Sequence, residues 1–336
     1  INMIKNDLEM IDLRGPPADV VRELRLSENP LMMRRNGGTI DTDAWMAKFP
    51  SLKTLYLDVC NIRRVCRAER GPHMDGSADG GVGWMSLFNV SLRGNALQPP
   101  LDIEFDCLRN VKNLYAPDTH IALPRMLPQL SQLLQLVVCN TGLVHLPSNM
   151  GAALPSLRLL DVSHNPDLAD LAPILQLAPS LEVLRCRAVG LAAAGSPADG
   201  RQHPGDEQAL LARLSKLQRL RRLDLRFNWC TAELYAPLPA SATAGRTGAV
   251  LDGALSPLAQ GQSVMGEPGA AAAPASPGGM SRIDEEAWLR QDHAYVAGLK
   301  LLRQGALVRR RESYWDAAIR AFPWLEELDG IKAGPH

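Results

Sequence analysis

The stretch "LRLLDVSHN", Leu157 to Asn165, decides how this chain is read. Leucine or valine stands at its first, fourth and sixth places and asparagine at its ninth. Apolar residues two apart fit a short strand with one buried face. An amide placed directly after such a strand needs a reason. Six further stretches carry the same grammar: "LKTLYLDVC" (Leu52 to Cys60), "LFNVSLRGN" (Leu87 to Asn95), "VKNLYAPDT" (Val111 to Thr119), "LLQLVVCNT" (Leu133 to Thr141), "LEVLRCRAV" (Leu181 to Val189) and "LRRLDLRFN" (Leu220 to Asn228). An apolar residue often returns at place eleven, as at Ile62, Leu97, Ile121, Leu143 and Leu191. The starts at 87, 111, 133, 157 and 181 are separated by 24, 22, 24 and 24 residues.

A unit of this kind cannot bury its apolar face alone, so neighbours must stack. Where the chain turns out of each strand, backbone groups inside the stack lack partners. An asparagine amide can donate to a carbonyl and accept from an N–H. Asn95, Asn165 and Asn228 suit that role, Cys60 and Thr119 are smaller substitutes, and Val189 must have its turn satisfied by other groups. The period lies within the ~20–29 residues of leucine-rich repeats, and the chain resembles that superfamily over roughly two-thirds of its length. The resemblance implies an α/β leucine-rich repeat solenoid, a horseshoe with a parallel concave sheet.

Composition narrows the function. Lys+Arg and Asp+Glu both number 36, so global charge does not draw the chain to nucleic acid or to a membrane. No run approaches the ~18 apolar residues of a membrane span. The opening "INMIKNDLEM" has no initiating methionine and no signal-peptide pattern, which leaves an upstream segment open. Six cysteines stand singly, at 60, 66, 107, 139, 186 and 230, and read as reduced thiols of an intracellular protein.

The expected organisation is an irregular N-terminal region (1–51), repeats (52–235), an Ala/Gly/Pro-rich insertion (236–282) and a helical C-terminal cap (283–336). "LEMIDLRGP" (Leu8 to Pro16) and "VRELRLSEN" (Val21 to Asn29) both fit the template but start only 13 residues apart, so one must be a cap or variant turn. "TDAWMAKF" reads as a short helix capped by Thr or Asp. Shorter insertions run from Cys66 to Gly83 and from Ala192 to Asp206. Ser281 with Asp284 resembles a capping box, and Pro323 should stop a second helix carrying Tyr314, Trp315, Ala318, Ile319 and Phe322. "LEEL" at 325–328 looks like a repeat that begins and is ended by "DG". The ending "YWDAAIRAFPWLEELDG" is similar to the C-terminal cap of several intracellular families: phosphatase-regulator, spliceosomal A-prime, ciliary and dynein-associated, and mRNA-export-receptor types. Tyr314, Phe322, Pro323, Leu328, Asp329 and Gly330 carry that match.

Catalytic patterns are weak. Asp75, Ser77, Asp79 and Gly80 match the start of a calcium loop, but Ser86 stands where a bidentate glutamate is needed. "GGVG" lacks a Walker lysine, the histidines are dispersed, and no nucleophile–base pair appears. The reading is a non-catalytic chain with no cofactor and no metal.

The informative surface is the concave face, because places three, five and seven alternate away from the core. Place five gives Asp12, Tyr56, Ser91, Tyr115, Val137, Asp161, Arg185 and Asp224; places three and seven add Asn113, Arg187, Arg222 and Arg226. Tyrosine and arginine are frequent interface anchors. The candidate partner-binding set is therefore Tyr56, Tyr115, Val137, Asp161, Arg185, Arg187, Arg222, Asp224 and Arg226. It implies a scaffold or adaptor for a protein partner that is apolar or aromatic near the tyrosines and acidic near the arginines. One alternative is an RNA-associated module of an export or splicing assembly, with the Arg309–Arg311 run on phosphates. Another is a ciliary or cytoskeletal component. Partner identity, compartment within the cell and oligomeric state are not readable from these residues.

Overall fold

The computed structural model describes residues 1–8, 11–29, 39–66, 86–95, 97, 108–119, 130–190, 206–228, 230–236, 282–302 and 304–333. The calcium-like stretch at Asp75, the glycines near Gly80, the insertions 192–205 and 237–281 and the Ser281 cap lie outside these residues. Each nine-place unit contributes one three-residue strand to a single sheet: β1 (Glu23–Arg25), β3 (Thr54–Tyr56), β5 (Asn89–Ser91), β6 (Asn113–Tyr115), β7 (Gln135–Val137), β8 (Leu159–Asp161), β9 (Val183–Arg185) and β10 (Arg222–Asp224). Two short strands, β11 (Glu327–Leu328) and β12 (Ile331–Lys332), complete it. The order is β1-β3-β5-β6-β7-β8-β9-β10-β11-β12, with neighbours parallel until the final antiparallel pair. Register keeps equal places opposite each other, as in Leu136↔Leu160↔Leu184. Places one, four and six are consequently buried in every unit, for example Leu157, Leu160 and Val162.

On the return side, β2 (Thr39–Asp41) pairs with β4 (Arg64–Cys66) in a separate parallel pair. Helix α1 (Thr42–Lys48) starts where the Asp41 carboxylate accepts from the Asp43 and Ala44 N–H groups, and it buries Trp45. Helices α2 (Met150–Ala153), α3 (Ala172–Leu175) and α4 (Asp206–Leu214) bury Met150, Ile174 and Leu210 against the same core.

The asparagine at place nine reaches backwards as well as into its own turn. Asn165 Oδ1 accepts from Thr141 and Leu143 N–H, places nine and eleven of the preceding unit, at 3.0 Å each. Its Nδ2 donates to Val138 and Val162 carbonyls, place six of both units. Asn95 repeats the pattern on Cys60, Ile62, Leu57 and Leu92. Asn228 takes Val189 N–H and donates to Cys186 and Leu225. The apolar Val189 is therefore tolerated because the following asparagine serves its turn. Cys60 and Thr141 are backed in the same way by Asn95 and Asn165.

Asn29 performs this service for the first residues of the chain. It accepts from Asn6 and Leu8 N–H and donates to the Met3 carbonyl. Asn2 bridges Arg25 in parallel, which places Asn2, Met3, Asn6 and Leu8 at places five, six, nine and eleven of a unit. The Val21 unit supplies β1. The described residues of the Leu8 to Pro16 stretch, Leu8 and 11–16, stay out of the sheet, with Ile11 and Leu13 packed against the core. Asp12 is thus not a sheet position, and Arg25 occupies place five at this end.

Place eight carries a second constraint. Lys5, Glu28, Val59, Gly94, Asp118, Asn140, His164, Ala188 and Phe227 all have φ between 47° and 64°. Left-handed backbone is costly for a β-branched residue. Val59, at φ 54° and 55 % exposed, has nothing evident to offset it.

The C-terminal end follows from helices α5 (Arg282–Leu301) and α6 (Gly305–Ala321). Helix α6 ends before Pro323 as the sequence predicts, with Tyr314, Ala318 and Phe322 buried. "LEEL" begins a unit, since Glu327 and Leu328 register with Arg222 and Leu223. Asp329 (φ 53°) and Gly330 (φ 78°) then turn the chain back into β12.

Two stability outcomes follow. Asn165→Ala leaves the Thr141 and Leu143 N–H groups and the Val162 carbonyl unpartnered, while Val138 keeps the Thr141 hydroxyl, and should cost about 3 kcal/mol in urea unfolding. Val59→Asn relieves the left-handed strain and should raise stability by about 1 kcal/mol.

Candidate functional site

The N-terminal half of the concave face is uncharged at places three and five from β3 to β7. Its amides bond to each other across strands: Asn113 donates to Asn89, which donates to Thr54 Oγ1 at 3.0 Å. Tyr115 is half-buried and donates to Gln135 Oε1 at 2.6 Å. Burial, with Tyr56 a smaller cause, raises its phenol above the ordinary value. Tyr56 is also half-buried, with the Arg25 guanidinium 5.1 Å from its ring centre, and Arg25 donates to Glu23. Ser91 is buried and donates to Asp58. Val137 is buried, so it lines the sheet without offering contact surface.

The C-terminal half departs from the alternation rule. Arg187 is 3 % exposed and Arg226 is 0 % exposed, although both stand at place seven. They converge on Asp224: Arg226 donates to both carboxylate oxygens at 2.9 and 2.6 Å, and Arg187 Nε lies 3.4 Å away. Burial disfavours charge on Asp224, but Arg226 and Arg187 overcome it and hold the carboxyl well below its usual range. Trp288 of α5 covers this cluster, its ring centre 4.4 Å from the Arg226 guanidinium. Gly330 closes the other side, where a Cβ would sit 3.0 Å from the same guanidinium. Asp161 is also buried; it accepts from Ser163 N–H and lies 3.7 Å from Arg185.

Five members of the sequence-predicted set are therefore buried and cannot meet a partner directly: Val137, Asp161, Arg187, Asp224 and Arg226. For Arg226, alternation points the side chain away from its own core but does not see Trp288 of the cap helix laid over it. Arg185, with a 32 % exposed side chain, and Arg222, exposed beside Val183 and Glu327, are the members of the arginine group that reach solvent.

The Arg309–Arg311 run is likewise engaged. Arg310 holds Glu207 of α4 with two bonds of 3.1 Å, and Arg311 holds the buried Asp292 while its guanidinium sits 4.5 Å over Tyr235. Asp292 also accepts from Ala236 N–H, and Trp288 Nε1 donates to the Ala236 carbonyl. These contacts fasten the two cap helices to the last repeat. The sequence signalled the cap through Tyr314, Phe322, Pro323 and the "DG" at 329–330, but not these individual contacts.

Asp329 sits at the centre of that fastening. Its carboxylate accepts from Leu225 N–H at 2.6 Å, from Tyr314 OH at 2.8 Å and from Tyr235 OH. Burial, then the neighbouring Asp224, lift its pKa to about 6, while the three donors oppose the rise. A carboxyl raised in the fold favours folding while protonated, so its contribution falls as pH climbs from about 4 to 6. Asp224 runs the other way, stabilising above the ordinary carboxylate pKa and losing that only on strong acidification. Between pH 7 and pH 5, wild type should therefore gain about 1 kcal/mol over Asp329→Asn in urea unfolding.

No family model matches the chain, and no curated protein does. Among solved structures, the chain is similar to a Leptospira interrogans LRR protein at TM-score 0.47 and 20 % identity, over 68 % of this chain and 48 % of that one. It is similar to human 5T4, the trophoblast glycoprotein, at TM-score 0.47 and 22 % identity, over 67 % of this chain and 75 % of that one. TLR13, solved in complex with ssRNA13, follows at TM-score 0.42 and 17 % identity, over 61 % and 28 %. The chain spans about half the length of the Leptospira protein. At these scores the likenesses add nothing to what the sheet itself shows. One parallel strand per nine-place unit, equal places in register and amides bridging successive turns make this chain a leucine-rich repeat solenoid.

Proposed function

We propose that this chain is a non-catalytic scaffold or adaptor that binds a protein partner along its concave sheet. The observation that carries the reading is a rigid face on which Tyr56, Tyr115 and Arg185 are partly exposed and Arg222 exposed. Most of their neighbours already bond to one another. A preformed surface loses little conformational freedom on binding, so broad contacts there translate into affinity. The partner presents apolar or aromatic groups to the tyrosines and an acidic segment to Arg185 and Arg222. An intracellular setting is supported by the buried thiols of Cys60, Cys139, Cys186 and Cys230, none of which is in a disulfide among the described residues. Burial pushes the Cys60 thiol up to about 11 and also raises Cys139 and Cys186 well above the ordinary thiol value, which keeps them unreactive. Among the described residues, no helix is long and apolar enough to cross a membrane. The RNA alternative loses support, because Arg187, Arg226, Arg310 and Arg311 have internal carboxylate partners.

Arg185 offsets the buried Asp161, so reversing its charge would put two carboxylates together. Arg185→Gln with Arg222→Glu removes the exposed positive charge without that repulsion. In a lysate pull-down with and without nuclease, this variant should lose nuclease-resistant protein partners that wild type retains. Retention of every such partner at an unchanged urea midpoint would contradict the assignment. Loss of wild-type partners on nuclease treatment would favour RNA.

A further inference from the structure

Place two of each unit lies at the strand entry, and its residues form a continuous ladder. Lys53 N–H donates to Arg22 O, Phe88 to Lys53, Lys112 to Phe88, Leu134 to Lys112, Arg158 to Leu134, Glu182 to Arg158, Arg221 to Glu182 and Glu326 to Arg221. Side by side, the row therefore reads Arg22, Lys53, Phe88, Lys112, Leu134, Arg158, Glu182, Arg221, Glu326. Its two halves differ in charge. In the C-terminal half Arg158 meets Glu182 at 3.9 Å and Arg221 meets Glu326 at 2.8 Å. In the N-terminal half, among the described residues, no carboxylate lies within ion-pairing distance of Arg22, Lys53 or Lys112. Arg22 donates to the Asp19 and Ser51 carbonyls, which orient it without neutralising it. Lys112 stands 4.9 Å over the half-exposed ring of Phe88. Three exposed cations around one aromatic ring thus border the uncharged tract of Thr54, Asn89, Asn113, Tyr56 and Tyr115.

We propose that this strand-entry rail, Arg22, Lys53 and Lys112 around Phe88, is a second contact for an acidic stretch of the protein partner. The proposal rests on the reading that a protein segment runs along the concave face. It adds a second anchoring end, opposite Arg185 and Arg222. Strands in a sheet lie about 4.8 Å apart. Lys112 on the β6 unit is three strand steps from Arg185, and Lys53 on the β3 unit is six from Arg222. Those spans are about 14 and 29 Å, or about 4 to 9 residues of extended chain. The matching partner segment has two acidic stretches at that separation and a neutral middle over Gln135 of β7 and Leu159 of β8, which lie between the two ends. A polypeptide suits this surface better than a nucleic acid. The concave columns beside and beyond the rail carry the amides of Asn89, Asn113 and Gln135, suited to backbone groups.

The test is fluorescence anisotropy of labelled poly-L-glutamate with the full chain at about 50 mM and about 300 mM salt, where screening differs strongly. Wild type should bind at low salt, and Lys53→Glu/Lys112→Glu should weaken binding about tenfold and flatten the salt dependence at an unchanged urea midpoint. Arg185→Gln/Arg222→Glu should weaken it separately. Wild-type affinity in the lysine variant alone overturns the rail and leaves the concave reading standing. Unchanged affinity in both variants, or no wild-type binding at low salt, overturns both. Tighter binding of polyuridylate than polyglutamate, lost in the lysine variant, assigns the rail to nucleic acid and overturns the protein partner.

Discussion

The structure depends on one side chain doing two jobs at the ninth place of a unit. A backbone that turns inside a stack cannot reach water, and unpartnered N–H and C=O groups there are costly. Asn29, Asn95, Asn165 and Asn228 each satisfy a turn of the unit before them and a carbonyl of their own. The bond network therefore runs between units as well as within them. Such a solenoid is stabilised mainly by nearest-neighbour interfaces, and these amides are a large polar part of each interface. A concave sheet whose strands keep equal places in register is the consequence that matters for binding.

Charge on that sheet is set by what the cap covers. Arg187 and Arg226 would advertise a basic groove if they were free. Instead Trp288 and Gly330 bury Arg226, and Asp224 is shared by both guanidinium groups. A buried ion cluster of this kind gives modest net stability but punishes any change that removes one partner. Its role here is to seat the cap, whose helices α5 and α6 also depend on Asp292–Arg311 and on Asp329 between two tyrosines. The positive charge left for a partner sits at Arg185 and Arg222 and along the strand entries at Arg22, Lys53 and Lys112.

Much of the fold was legible in the sequence because places one, four, six and nine are fixed by burial and by one hydrogen-bonding requirement. Those constraints act within a few residues. The "LEEL" ending and its "DG" turn were legible for the same reason. The left-handed residue at place eight was not, since Lys5, Val59 and Phe227 carry no composition signal for positive φ. The unit at Asn2 to Leu8 was missed because the sequence shows it only from place four, with Ile1 and Met3 at places four and six instead of leucines. The candidate site was read least well. Whether Arg226 faces solvent depends on a tryptophan 62 residues later in sequence, and local alternation holds no information about it. The place-two row carries no alternation signal, since strand alternation points only places three, five and seven away from the core.

The central claim is that place-nine amides hold neighbouring units as one rigid sheet, and native-state hydrogen exchange tests it most directly. The N–H groups of Cys60, Ile62, Thr141, Leu143 and Val189 lie in turns outside the strands, and in an ordinary turn they would exchange quickly. Here they should be protected as strongly as Leu160 and Leu184 in β8 and β9, opening only with the sheet. Fast exchange at Thr141 and Leu143 beside a protected strand would show that the turns open independently and that the amide bridges do not couple the units.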